Sequence, residues 1–115
     1  MSLQGDHIRL LRLSADSSLS FTRVSLGDLA CLYFVVLSYV WGDLSDTLPL
    51  DVSGHVIHAT KNLHHVLDCL LASRFDELLW IDALCIDQQN PHERASQVAM
   101  MGDIYSNARY VLAFL

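Results

Sequence analysis

Seven side chains capable of chemistry stand within twelve residues in the stretch LLWIDALCIDQQNPHER, residues 78–94: Asp82, Cys85, Asp87, Gln88, Gln89, His92 and Glu93. Carboxylates stabilise developing positive charge or orient water, amides fix the polar edge of a ligand, and a thiol beside a base is a nucleophile. A second group, SYVWGD at 38–43, brings Ser38, Tyr39, Trp41, Gly42 and Asp43, whose aromatic rings can stack on a flat ligand. Structural roles compete with each of these. Asn90, Pro91 and Glu93 fit the N-cap, N1 and N3 positions of a helix, with Glu93 reaching back as in a capping box. Asp82 can cap a strand end, Asp87 can close an Asx-turn, and Gly42 can serve a turn. Cys85 lacks a base except its sequence neighbour His92.

The elements that must position these groups follow from periodicity. IRLLRLS and SLSFTRVSL, separated by the turn-prone ADSS, predict an N-terminal β-hairpin. YFVVLSYVWG is a near-continuous apolar run, as in a strand covered on both faces of a parallel sheet. TLPLDVSGHVIHAT predicts an inserted hairpin turning at Ser53-Gly54. From the N-cap Thr60, residues Leu63, Val66, Leu67, Leu70 and Leu71 make one helical stripe, ending near 72–74. LLWIDAL is a second core strand, and residues 90–108 a helix burying Val98, Met101, Ile104, Tyr105 and Ala108. YVLAFL is a third core strand. The alternation predicts an α/β fold: a small, mostly parallel sheet built on a βαβαβ core, in one domain over residues 1–115. Its loops converge beyond the carboxyl ends of the strands, where 38–43 and 82–89 both fall.

Composition removes several function classes. Seven Lys and Arg against thirteen Asp and Glu give a net charge of −6, with no basic stripe to hold a phosphate backbone, so nucleic acid is not the expected partner. ACLYFVVLSYVWG is too short to cross about 30 Å of hydrocarbon, and MSLQGDHIRLLRL lacks a signal-peptide core, which places the chain in the cytoplasm. Cys31, Cys69 and Cys85 lack C-x-x-C spacing and read as reduced core thiols; His55 and His58 read as solvated, leaving no metal site. Signatures of dinucleotide-binding, P-loop, serine-hydrolase and zincin sites are missing. At 52% hydrophobic residues the chain is rich enough in apolar groups to want a protein partner or self-association, and its ending on an apolar strand suggests a domain truncated there.

LSYVWGD at 37–43, ATKNLHHVLDCL at 59–70, LWIDALCIDQQNPHERASQV at 79–98 and MGDIYSNARYVLAFL at 101–115 resemble, in order and spacing, the heterokaryon incompatibility (HET) domain family of filamentous fungi. The resemblance implies a death-inducing effector of nonself recognition. That family is distantly similar to TIR domains, which implies a flavodoxin-like core and, by analogy, cleavage of NAD as a substrate, with no cofactor required. On that analogy Glu93 is the catalytic candidate, and Ser38, Tyr39, Trp41, Gly42, Asp82, Asp87 and Gln88 line a nucleotide pocket. Two other readings stand beside it: a non-catalytic, self-associating signalling module and an inactive truncated copy.

Overall fold

The computed structural model describes residues 6–114. The expected N-terminal hairpin is present as β1 (His7–Leu13) and β2 (Leu19–Ser25), in antiparallel register from His7 opposite Ser25 to Leu13 opposite Leu19. A 3-10 turn, Leu26–Cys31, leads into β3 (Phe34–Tyr39), whose first four residues are buried, as expected of a strand covered on both faces. Next come β4 (Thr47–Val52) and β5 (His55–Thr60), which form a separate two-stranded sheet. Their turn has positive φ at both Ser53 and Gly54, the pairing that matches strand twist in a two-residue hairpin. Ser53 also fastens this hairpin to β2, donating its N–H to Leu19 O and accepting the Phe21 N–H at Oγ.

Helix α1 (Lys61–Ala72) starts where Thr60 Oγ1 accepts the Leu63 N–H, and it buries Leu63, Val66, Leu67 and Leu70. The strand expected over 78–84 is shorter. Only Leu78–Trp80 pairs, as β6, and Asp82–Cys85 forms the one-turn helix α2, with Ile81 O accepting the N–H groups of Leu84 and Cys85. Helix α3 (Pro91–Asn107) follows, and β7 (Tyr110–Phe114) closes the chain.

The main sheet runs β2-β1-β6-β3-β7 and is mixed, not mostly parallel. β3 pairs in parallel with β6 and β7, whereas β1 runs antiparallel to both β2 and β6. The N-terminal hairpin is thus part of the main sheet. Its first strand is apolar toward both faces, with Ile8, Leu10 and Leu11 buried, so it needs neighbours on both sides and takes the free edge of β6. β7, expected in the core, is an edge strand with Tyr110 and Val111 exposed.

Helix α3 keeps most of the expected face: Ile104 is buried, Met101 and Ala108 pack against the core, and Tyr105, though partly exposed, meets the buried Trp80 edge-on. Val98 is exposed instead, and the buried face extends to two polar side chains, since Gln97 Nε2 donates to His7 O and Glu93 binds Arg9. A hydropathy stripe does not register polar residues that are buried by hydrogen bonding.

From β3 the chain crosses to β6 on one side, and from β6 it crosses back past β3 to β7. Crossovers of one hand running in opposite directions put α1 and α3 on opposite faces of the sheet. The two helices have different neighbours, α1 meeting β4 and β5 and α3 meeting the 3-10 turn. Adjacent strands whose connections leave on opposite faces open a crevice beyond their carboxyl ends, here between β3 and β6.

Thr60→Ala removes the α1 cap and should cost about 1 kcal/mol, lowering the thermal midpoint by about 4 °C in circular-dichroism melts. Thr60→Ser, which keeps the acceptor, should recover most of that loss.

Candidate functional site

Tyr39 ends β3 and Asp82 opens α2 just past β6, so both lie at the crevice. Both are half-buried. Burial, reinforced by the Asp82 charge and opposed by a hydrogen bond with the Thr60 side chain, pushes the Tyr39 phenol up to about 12. Burial likewise raises the Asp82 carboxyl above its ordinary value, against two backbone N–H groups that favour its charge. Trp41 stacks on Tyr39 with ring centroids 6.4 Å apart and planes within 8°.

The loop carrying Trp41 is held by Asn62, whose Nδ2 donates to Val40 O at 3.0 Å. Gly42 fits this contact for two reasons: its φ is +79°, and an added Cβ would lie 2.7 Å from Asn62 Nδ2. Ser38 is exposed on β3 opposite Ala113 of β7, away from this group.

Asp87 and Gln88 line a different space. With Arg9, Phe21, His55 and His58 they bound a cleft of about 370 Å³ between β5 and residues 83–89. Gln88 links the two regions, its Nε2 donating to Asp82 O at 2.8 Å. Asp87 makes the Asx-turn that its type suggests, Oδ1 accepting the Gln89 N–H at 3.1 Å. The two exposed histidines and Asp87 do not form a metal cage; among the described residues no cluster of His, Cys, Asp and Glu could hold a metal ion.

Glu93 lies beneath the loop. Asn90 caps α3 by accepting the Glu93 N–H at 3.1 Å, and its own N–H, which a capping box would give to the Glu93 carboxylate, donates to Asp87 O. The Glu93 carboxylate forms a bidentate pair with Arg9, Nη1 to Oε2 and Nη2 to Oε1 at 2.7 Å each, and Oε2 also accepts the Asp87 N–H. Arg9 Nη1 donates further to Cys85 O at 3.0 Å. Arg9 is 5% exposed and Glu93 6%, so this is a buried charge pair joining β1, the end of α2 and the start of α3.

Cys85 is sealed in the same region; burial pushes its thiol up to about 12, and its sulfur accepts the Ile81 N–H. That is the environment of a structural thiol. Cys69, expected in the core, is exposed on α1, and the Cys31 side chain lies outside the described residues.

Sequence reasoning missed Arg9, although a signal exists. The apolar run IRLLRL carries two arginines at alternate faces, Arg9 and Arg12; Arg12 reaches solvent, whereas Arg9 is buried, and a buried arginine needs a carboxylate partner.

A mixed α/β domain with a switch-point crevice is what the geometry defines. The sequence model described as heterokaryon incompatibility protein (HET) matches residues 34–115, and the chain belongs to that family. The match starts at β3 and takes in every parallel strand with its crossovers. Over a 132-residue alignment the chain is 33% identical to heterokaryon incompatibility protein 6, OR allele, of Neurospora crassa, covering 95% of this chain and 18% of that relative. No solved structure matches.

Removing one member of the Arg9–Glu93 pair strands a buried charge, which costs about 3–5 kcal/mol. Arg9→Met and Glu93→Leu should each lower the urea midpoint sharply. The double variant Arg9→Met/Glu93→Leu should recover most of the loss, and a double-mutant cycle in urea checks it.

Asp82 gives a pH signature. Its folded-state pKa lies above the ordinary 3.8, so its contribution favours the fold below that pH and is lost as pH rises through the folded-state value. Asp82→Asn should melt above the wild type at neutral pH, and the gap should close as pH falls toward 3.8.

Proposed function

We propose that this chain acts in heterokaryon incompatibility, as an effector domain that triggers the death of fused cells, and that its working site is the crevice between β3 and β6. Membership of the HET family and the likeness to a protein named for heterokaryon incompatibility support the role. That chain covers only 18% of the relative, so the activity of the longer protein is carried over here as part of the proposal. One observation carries the choice of site: Tyr39, Trp41 and Asp82 converge at the switch point of the sheet.

The ligand that suits this crevice bears a flat ring and hydroxyls, as a nicotinamide nucleotide does. The Tyr39–Trp41 pair supplies a stacking face, and Asp82 a half-buried acceptor for ribose hydroxyls. Cleavage of NAD is the enzymatic form of this reading. Glu93, nominated by analogy, would have to leave Arg9 to take part, so Asp82 is the carboxylate better placed to stabilise a cationic ribosyl group. A second reading, a self-associating signalling module, is favoured by the commitment of Glu93 to Arg9 and by the exposed Tyr110 and Val111 on the edge strand β7.

The test is expression of the chain in a fungal host, scoring growth and cellular NAD at matched protein levels for wild type, Asp82→Asn, Trp41→Ala and Glu93→Gln. Killing with NAD loss, both abolished in folded Asp82→Asn, is the expected result. Killing that leaves NAD unchanged and tolerates Asp82→Asn and Trp41→Ala would transfer the role to the signalling module. No growth defect in any strain would sink the effector role for this chain.

A further inference from the structure

Three successive residues where β5 passes into α1 each hold one piece of the wall that carries Trp41. Thr60 meets the Tyr39 phenol through its side chain. Lys61 takes the far end of the loop, donating its N–H to Asp46 O and setting its ammonium 3.3 Å from the Asp46 carboxylate. Asn62 takes the near end, and its amide touches both neighbours of Trp41: Nδ2 donates to Val40 O at 3.0 Å, and a Cβ on Gly42 would lie 2.7 Å from the same atom. Trp41 is thus bracketed. Between the two ends, Asp43 closes a turn, its Oδ1 accepting the Ser45 N–H and hydroxyl and its carbonyl accepting the Asp46 N–H. Asn is a modest helix former, and at the exposed second position of α1 its side chain serves the loop.

We propose, resting on the reading of the crevice as the working site, that Asn62 is its positioning residue: it holds Trp41 parallel to Tyr39 and so selects ligands that bear a flat ring. The Tyr39 ring is placed by β3 and Thr60, so the 8° between the two planes depends on where the backbone at 40–42 puts Trp41. An N–H donor is what the Val40 carbonyl needs there. A carboxylate in the same place would set two acceptors against each other and push Val40, and Trp41 with it, away. A side chain on Gly42 would displace the loop from the other end of the bracket, with the added strain of a φ of +79°. Asn62 therefore acts through Trp41.

The experiment measures acrylamide quenching of tryptophan fluorescence, near-ultraviolet circular dichroism and calorimetric binding of nicotinamide mononucleotide in the full chain, with far-ultraviolet dichroism confirming the fold of every variant. Trp80 is 1% exposed, so quenching reports on Trp41. Asn62→Asp is the main variant, because an acidic residue in the first turn suits the positive helix end and keeps α1 stable. Asn62→Asp and Asn62→Ala should each raise the quenching constant, remove most of the dichroism of the ring pair, and weaken mononucleotide binding about fivefold, the effect of losing one hydrogen bond. Lys61→Ala removes only an exposed ion pair and should leave all three unchanged. Unchanged quenching and dichroism in both Asn62 variants would overturn the proposal, as would an equal change in Lys61→Ala. Failure of the wild type to bind the mononucleotide would sink the ligand reading of the crevice and with it the selection of flat rings, while quenching still decides whether Asn62 places Trp41.

Discussion

The Arg9–Glu93 pair is the contact on which the arrangement of this domain depends. It fixes β1 to α3 and, through Cys85 O and the Asp87 N–H, sets the path of the loop between α2 and α3. Two charges withdrawn from water are tolerated because their hydrogen-bonding groups meet partners, the guanidinium on the carboxylate and a carbonyl, the carboxylate on the guanidinium and a backbone amide. The same pair belongs to the inward face of α3. With Glu93 and Gln97 held against β1, Val98 reaches solvent, Ile104 enters the core and Tyr105 rests edge-on against Trp80.

This pair also separates two tasks that the acidic loop might have combined. One carboxylate, Glu93, organises the backbone from beneath, and another, Asp82, stands at the sheet's carboxyl edge with Tyr39 and Trp41. Gln88 connects them by holding the Asp82 carbonyl. The backbone beneath Asp82 is thus tied by buried hydrogen bonds to β1 and to the start of α3.

Much of the fold is legible in the sequence wherever one local rule decides. Thr60 and Asn90 announce their helices through the first-turn N–H groups they accept, and Ser53-Gly54 announces its turn through two positive φ angles. The stripe Leu63, Val66, Leu67, Leu70 marks the buried face of α1. The nearness of Tyr39 to Asp82 follows from strand alternation alone. Long-range pairing decides the rest. That β1 joins the main sheet beside β6, that the Glu93 carboxylate binds Arg9, and that α3 buries two polar residues all depend on partners at least 68 residues away in the chain. Exposure of Cys69 is different in kind: its position between apolar Leu67 and Leu70 reads as core only if the helical phase is ignored.

The three residues of β6 have a consequence for how the domain comes into being. Among the described residues β6 joins the N-terminal hairpin on one side to β3 with β7 on the other, and β1 meets it at one paired position, Leu11 with Leu79. During synthesis the hairpin, β3 and the β4–β5 insertion all emerge before residue 78 and have no shared sheet to join. Closing that span is an entropic cost borne before the sheet's contacts can form, and it lies on the slow side of folding. Until Leu78–Trp80 is made, the edges of β1 and β3 that it joins have no strand to pair with, and unpaired strand edges are what make a partly formed sheet prone to aggregate.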